Sequence, residues 1–263
     1  MKKYLYVMKT TFNDSIQYAS IILFRIGGFI ITLLVLISLW SFIYKDSESL
    51  IHGYTFSQMI WYLLLAEMIT YGAGSKVATD EIRNNIKSGN IAYQINKPYH
   101  YVMFVICKYL ADTFIRFILF TIIATSLGLI FAGGIEGFRI YTLLSMILMF
   151  FFGLLITGLM RILISMLAFW VEDSKPFQNI YSKIVLIFGV FFPIKMFPGI
   201  IQKIIRYSPI YGVSSGPASL VIHYSFQGFI EVLVTQIITI IIALSIILIL
   251  YRKGVKKLNV NGG

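Results

Sequence analysis

Acidic residues are scarce in this chain: 11 Asp and Glu stand against 22 Lys and Arg among 263 residues, and charged residues of both signs reach only 13%. A soluble domain carries about 25% charge, so an ordinary water-exposed surface is excluded. The single cysteine, Cys107, excludes an internal disulfide. His52 and His223 stand too far from other ligating residues to suggest a metal site. There is no G-x-x-x-x-G-K-[ST] phosphate loop, no Ser-His-Asp set, no carboxylate dyad and no H-E-x-x-H helix. The chain is therefore not expected to be an enzyme by itself or to bind a metal or cofactor.

What the chain has instead is apolar length. Hydrophobic residues make up 58%, with a mean hydropathy of +0.84. A bilayer core about 30 Å thick takes about 20 apolar residues per helical crossing. Six runs answer to that length: 21–44, 56–75, 109–132, 140–170, 177–197 and 229–251. Lipid leaves the backbone only helices and closed barrels, and long apolar runs are not the short alternating strands of a barrel. The predicted fold is all-α, a single polytopic membrane domain.

Loop charges orient it. With the N-terminus inside, the inner segments carry Lys2, Lys3, Lys9, Lys76, Arg83, Lys87, Lys97, Lys175, Lys183, Arg252, Lys253, Lys256 and Lys257. The outer segments carry only Lys45, Arg139, Lys195, Lys203 and Arg206. Both termini are predicted to be cytoplasmic. The net charge of +11 follows from this asymmetry and from anionic lipid heads, with no nucleic acid partner needed. Residues 1–20 are not expected to be a removable signal. Tyr4, Leu5, Met8, Phe12 and Ile16 recur at helical spacing, which predicts an amphipathic helix on the inner leaflet.

One polar island, "DEIRNNIKSGNIAYQINKPY" at residues 80–99, interrupts the apolar chain. Asp80 and Glu81 suit a helix N-terminus, Gly89 suits its end and Pro98 blocks continuation. A short helix, a turn and an extended piece are predicted, with Ile82, Ile86, Ile91 and Ile95 as apolar anchors. Such a helix rests on lipid or docks on a separate soluble protein.

The pattern "EIRNNIKSGNIAYQINKP" from Glu81 to Pro98, lying between the second and third of six spans, resembles the ABC-2 type family of ABC transporter permeases. The likeness extends over nearly the whole chain. It implies that 80–98 is a coupling helix seated in a cleft of an ATP-binding subunit, with Asp80, Glu81, Arg83, Asn84, Lys87, Gly89 and Asn90 at the contact and Ile82 and Ile86 as the packed face. It also implies two ABC ATPase copies carrying ATP and Mg, a second permease that is identical or related, and a pathway between permeases lined by spans one, two and five. Phe24, Phe29, Trp61, Phe188 and Phe191 are the candidate lining residues. An amphipathic drug, peptide or lipid-like substrate, exported across a bacterial plasma membrane, is the expected cargo.

Residues 198–228 are too polar to span and are expected outside, as a surface helix or, by the resemblance, as a re-entrant hairpin capping the pathway. Charges within spans are costly and need partners. Glu67 and Arg161 are expected at similar depth and hence as a pair, with Asp112 the alternative partner of Arg161. Lys108, Asp112 and Arg116 follow at i, i+4 spacing, which predicts a ladder on one helix face. Structural pairing and a charged gate both remain open for these groups. The rival functional readings are a secondary transporter and a non-transport scaffold; the chain has no evident internal repeat, which tells against the first.

Overall fold

The computed structural model describes residues 2–17, 19–45, 50–74, 77–135 and 140–261. Lys76 and Arg139 in the loop-charge count, Ser75 at the end of the second predicted span, and the Ile16 side chain lie outside the described residues. Among the described residues eleven α-helices follow one another: α1 Lys2–Gln17, α2 Ala19–Tyr44, α3 Phe56–Gly72, α4 Val77–Lys87, α5 Ile91–Ile95, α6 Tyr101–Phe131, α7 Ile140–Met166, α8 Lys175–Val185, α9 Gly199–Arg206, α10 Gly216–Ile222 and α11 Phe226–Asn261. Among the described residues there is no strand, only an isolated bridge between Ile51 and Tyr54.

Among the described residues four segments are long and apolar enough to cross a bilayer: Ile22–Tyr44, Tyr101–Phe131, Thr142–Phe169 and Phe226–Lys257. The other two predicted crossings look different. α3 starts sharply, because the Thr55 hydroxyl accepts from the Gln58 backbone N–H while the Gln58 side chain accepts from the Thr55 N–H. Its 17 residues rise only about 26 Å, short of a hydrocarbon core. It stays apolar because it is packed inside the protein, with α2, α6 and α10 around it. The predicted span 177–197 begins regularly as α8, then loosens into a π-helical turn at Leu186–Phe191. It ends at Phe192, whose extended backbone (φ −131°, ψ 130°) is the conformation that Pro193 imposes on its neighbour.

Among the described residues two large apolar cores result, with a small cluster of Met149, Leu220 and Val232 beside them. One joins Phe29 and Leu33 of α2, nearly all of α3, Phe120 of α6, Phe150 of α7, and Val190, Val213 and Ala218. The other joins Ile82 and Ile86 of α4, Ile91 of α5, Tyr101, Val105 and Tyr109 of α6, Leu159 and Ile162 of α7, and Ala243 and Ile247 of α11. α6 and α7 belong to both. They approach closely at Gly158, where an added Cβ would overlap the Tyr109 ring. α6 also begins eight residues before the predicted start of its span, since Tyr101–Lys108 continues the helix into the second core.

Candidate functional site

The polar island folds as α4 and α5 at one end of the bundle. Asp80 lies in the first turn of α4 and Lys87 in its last, each facing the favourable end of the helix dipole. Gly89 closes the helix at φ +74°, its N–H donating to the Ile86 carbonyl at 3.2 Å; an L-residue there would be strained. The extended piece expected beyond Gly89 is instead a second short helix, α5. Ile91 is fully buried there, and burial of that side chain is better served by a helical turn than by a strand with no partner.

α4 presents two faces. Ile82 (0% exposed) and Ile86 are buried against α6 and α7, and Asn85 donates to the Tyr101 hydroxyl at 3.2 Å. Glu81 pairs with Lys108 of α6. The Arg83 guanidinium lies 3.3 Å from Asp80 and 3.8 Å from Asp173, in the turn after α7. The Asp173 carboxyl is held below the usual carboxylate range, first by the Lys175 backbone N–H it accepts from and then by Lys87 and Arg83. Arg83 is thus engaged within the chain. Asn84, Lys87, Ser88, Gly89 and Asn90 form the exposed face, and Tyr93 on α5 stands 71% exposed with Lys97 over its ring at 5.1 Å. Tyr93 was not singled out by sequence; an aromatic inside an otherwise polar island was the available signal.

α1 lies along α6 beside this site. Lys3 Nζ donates to the Pro98 carbonyl at 2.9 Å, and the His100 N–H donates to the Tyr4 hydroxyl at 3.0 Å.

The intramembrane charges pair differently from expectation. Arg161 does not reach Glu67: its Nη1 donates to the Gly74 carbonyl at 2.8 Å, about two helical turns further along the chain than Glu67. Glu67 is 0% exposed, and neither carboxylate oxygen finds a hydrogen-bond partner among the described residues. Asp112 pairs with Arg116 at 3.0 Å rather than with Arg161, as i, i+4 spacing on α6 favours. Lys108 leaves that ladder for Glu81. Arg25 donates to the Tyr71 carbonyl in the last turn of α3 at 3.1 Å, where a cation meets the negative end of the dipole, while Arg161 holds the Gly74 carbonyl two residues beyond that helix.

Of the five candidate lining aromatics, Phe24 is 89% exposed on α2, and Phe188 and Phe191 are half-buried in the π-helical turn. Phe29 and Trp61 are buried within the chain: Phe29 rests edge-on against Tyr71 and Phe120, and Trp61 Nε1 donates to the Gly133 carbonyl. In this conformation those two present no surface to a second copy. Phe29 is enclosed between α2, α3 and α6, and Trp61 is turned against Gly128 of α6 and the turn after it.

An all-helical, multi-pass membrane protein with a two-faced amphipathic helix at one end is the class this fold defines. The family model described as ABC-2 family transporter protein matches residues 18–262. The chain belongs to that family, whose members are membrane transport subunits, not themselves catalytic, that generally pair with an ABC ATPase. No curated protein matches it.

Proposed function

We propose that the protein is the permease subunit of an ATP-driven exporter and that α4 is the lever by which a separate ATPase moves it. The observation that carries this reading is the division of α4 into two faces. Ile82 and Ile86 root it in the membrane helices, while Asn84, Lys87 and Asn90 stand free at the surface. A motor's closure does work on a permease only through a rigid contact with both partners. A capped helix, fixed to α6 by Glu81–Lys108 and to the turn after α7 by Arg83–Asp173, meets that need.

In this reading two ATPase copies carry ATP and Mg, the island and both termini face the cytoplasm of a bacterial cell, and residues 56–75 and 177–197 complete six crossings. A second permease, identical or related, closes a pathway along α2, α3 and α8. Phe24 and Phe188 begin that surface, and its apolar character suits an amphipathic drug, peptide or lipid-like cargo. The segments α9 and α10 cap it externally.

The test is co-purification with an ATPase encoded beside this chain. Replacing Asn84 and Lys87 by Glu should abolish recovery of the ATPase while the permease still elutes as the wild type does. Undiminished recovery, or transport by the permease with no ATPase bound, overturns the proposal.

A further inference from the structure

Away from α4, toward the other end of the bundle, α3, α6 and α7 enclose a cavity of about 470 Å³. Trp61 and Met68 of α3, Phe117 and Leu129 of α6, and Leu143 and Ile147 of α7 are among its walls. The space exists partly because Gly128 lets the Trp61 indole lie flat on α6; a Cβ there would overlap the ring. Of the candidate pathway along α2, α3 and α8, α3 alone contributes to it, through Trp61, Leu65 and Met68.

Among the described residues the walls offer a guest no free polar side chain. The Thr121 hydroxyl donates to the Phe117 carbonyl at 2.7 Å, the Thr125 hydroxyl to the Thr121 carbonyl at 2.8 Å, and the Trp61 N–H to the Gly133 carbonyl at 3.0 Å. Water needs two to four polar partners to occupy a cavity, so this one does not hold ordered water. Leu129 and Ile147, 62% and 53% exposed, stand at its rim on the outer faces of two membrane-crossing helices. The mouth therefore opens sideways into hydrocarbon.

Size selects the occupant. An apolar cavity of about 150 Å³ takes one benzene, so 470 Å³ corresponds to roughly 18 carbons, the size of one acyl chain. A helix about 10 Å across would fill the same volume in little more than one turn, so a second copy's helix does not enter. We infer that this cavity is a binding site for a single acyl chain of a bilayer phospholipid, held between α3, α6 and α7 with its contour along Trp61. The hydrophobic effect gives no gain for a chain already in lipid. Occupancy rests on close packing against walls that would otherwise line a void.

Trp61 is the reporter. The chain has three tryptophans, and replacing Trp40 and Trp170 by Phe leaves Trp61 alone. The protein is reconstituted in vesicles of phosphatidylcholine brominated at mid-chain and in the unbrominated equivalent. Trp61 is only 4% exposed, yet its emission should fall by at least half in the brominated vesicles. Narrowing the mouth with Leu143→Phe and Ile147→Phe should cut that quenching to less than half its value. Thr125→Leu, filling from the α6 wall, should do the same and stands in if the double variant fails to fold. Leu144→Phe, on the exposed face beside the cavity, should leave quenching unchanged. Equal quenching in filled and parent proteins would mean bromine acts from the outer surface only. No quenching would mean that a neighbouring chain or a transported molecule occupies the space. Either result overturns the inference.

Discussion

Ile82→Ala isolates the seat of α4 from its outward face. Ile82 is fully buried among Tyr101, Val105 and Ile162 and their neighbours. The substitution removes three carbons, about 0.8 kcal/mol each by transfer, plus a cavity contribution, for about 3 kcal/mol in all. If α4 opens from the bundle as a local unit, that loss appears as its opening free energy, and 3 kcal/mol is a factor of about a hundred in amide exchange. Hydrogen exchange over Val77–Lys87 should therefore quicken about a hundredfold, while the amides of α7 and α11 keep their protection. Asn84→Ala, on the exposed face, should leave α4 exchange unchanged. Unaltered exchange in Ile82→Ala, or quicker exchange in Asn84→Ala, would refute the two-faced seating on which the proposed lever rests.

Other outcomes follow from single contacts. Gly158→Val should lower thermal stability in detergent, by about 1–3 kcal/mol or more, because its side chain meets the buried Tyr109 ring. Gln236→Leu removes two 2.8 Å donations, to the Met149 and Gly212 carbonyls, from a fully buried site and should cost about 1–3 kcal/mol by the same measurement. Arg206→Ala should shift nothing measurable, since its pair with Glu231 is half exposed. Asp173 has a depressed folded value, so its link to Arg83 is fully present at the ordinary carboxylate value near 4 and is lost only as pH falls further, through the lower folded value. A fluorophore on Asn84→Cys, with Cys107→Ser, should gain mobility only as pH falls through that depressed value, and Asp173→Asn should show that mobility at pH 7.

The chain's helical class and its long crossings were legible because apolar length of that kind has one common solution in lipid. The boundaries of α4 were legible from Asp80 and Gly89, whose roles are local. Apolar length alone does not report lipid contact: α3 is buried among protein neighbours, and hydropathy cannot distinguish those from lipid. The capping box of Thr55 and Gln58, readable as T-x-x-Q, fixes where α3 begins and went unused. The Glu67–Arg161 pair failed because depth along a helix says nothing of azimuth, and a backbone carbonyl, invisible to charge counting, took the arginine. The pairing of Arg83 within the chain was not legible either, because Asp173 lies 90 residues away in sequence.

The polar residues of the first core have a physical explanation in its irregular backbone. Two π-helical turns, Leu186–Phe191 and Tyr211–Ser215, free carbonyls that a regular helix would use. In an apolar interior each unpartnered group costs several kcal/mol. Side chains meet that cost: the Tyr62 hydroxyl donates to Gly189 and Phe192 carbonyls at 2.9 and 3.2 Å, Ser214 to Gly189 at 3.0 Å, and Gln236 to Gly212 at 2.8 Å. Tyr62 on α3 and Gln236 on α11 thus complete a backbone that could not face lipid. The irregular turns lie in or against the first core, whereas α4 is rooted in the second, among regular stretches of α6, α7 and α11. α6 and α7 belong to both, and Ile240 of α11 packs against each. α7 touches α4 in the second core and the Tyr211–Ser215 turn in the first, where an added Cβ at Gly153 would meet the Val213 carbonyl, so a displacement of α4 reaches that irregular turn along α7.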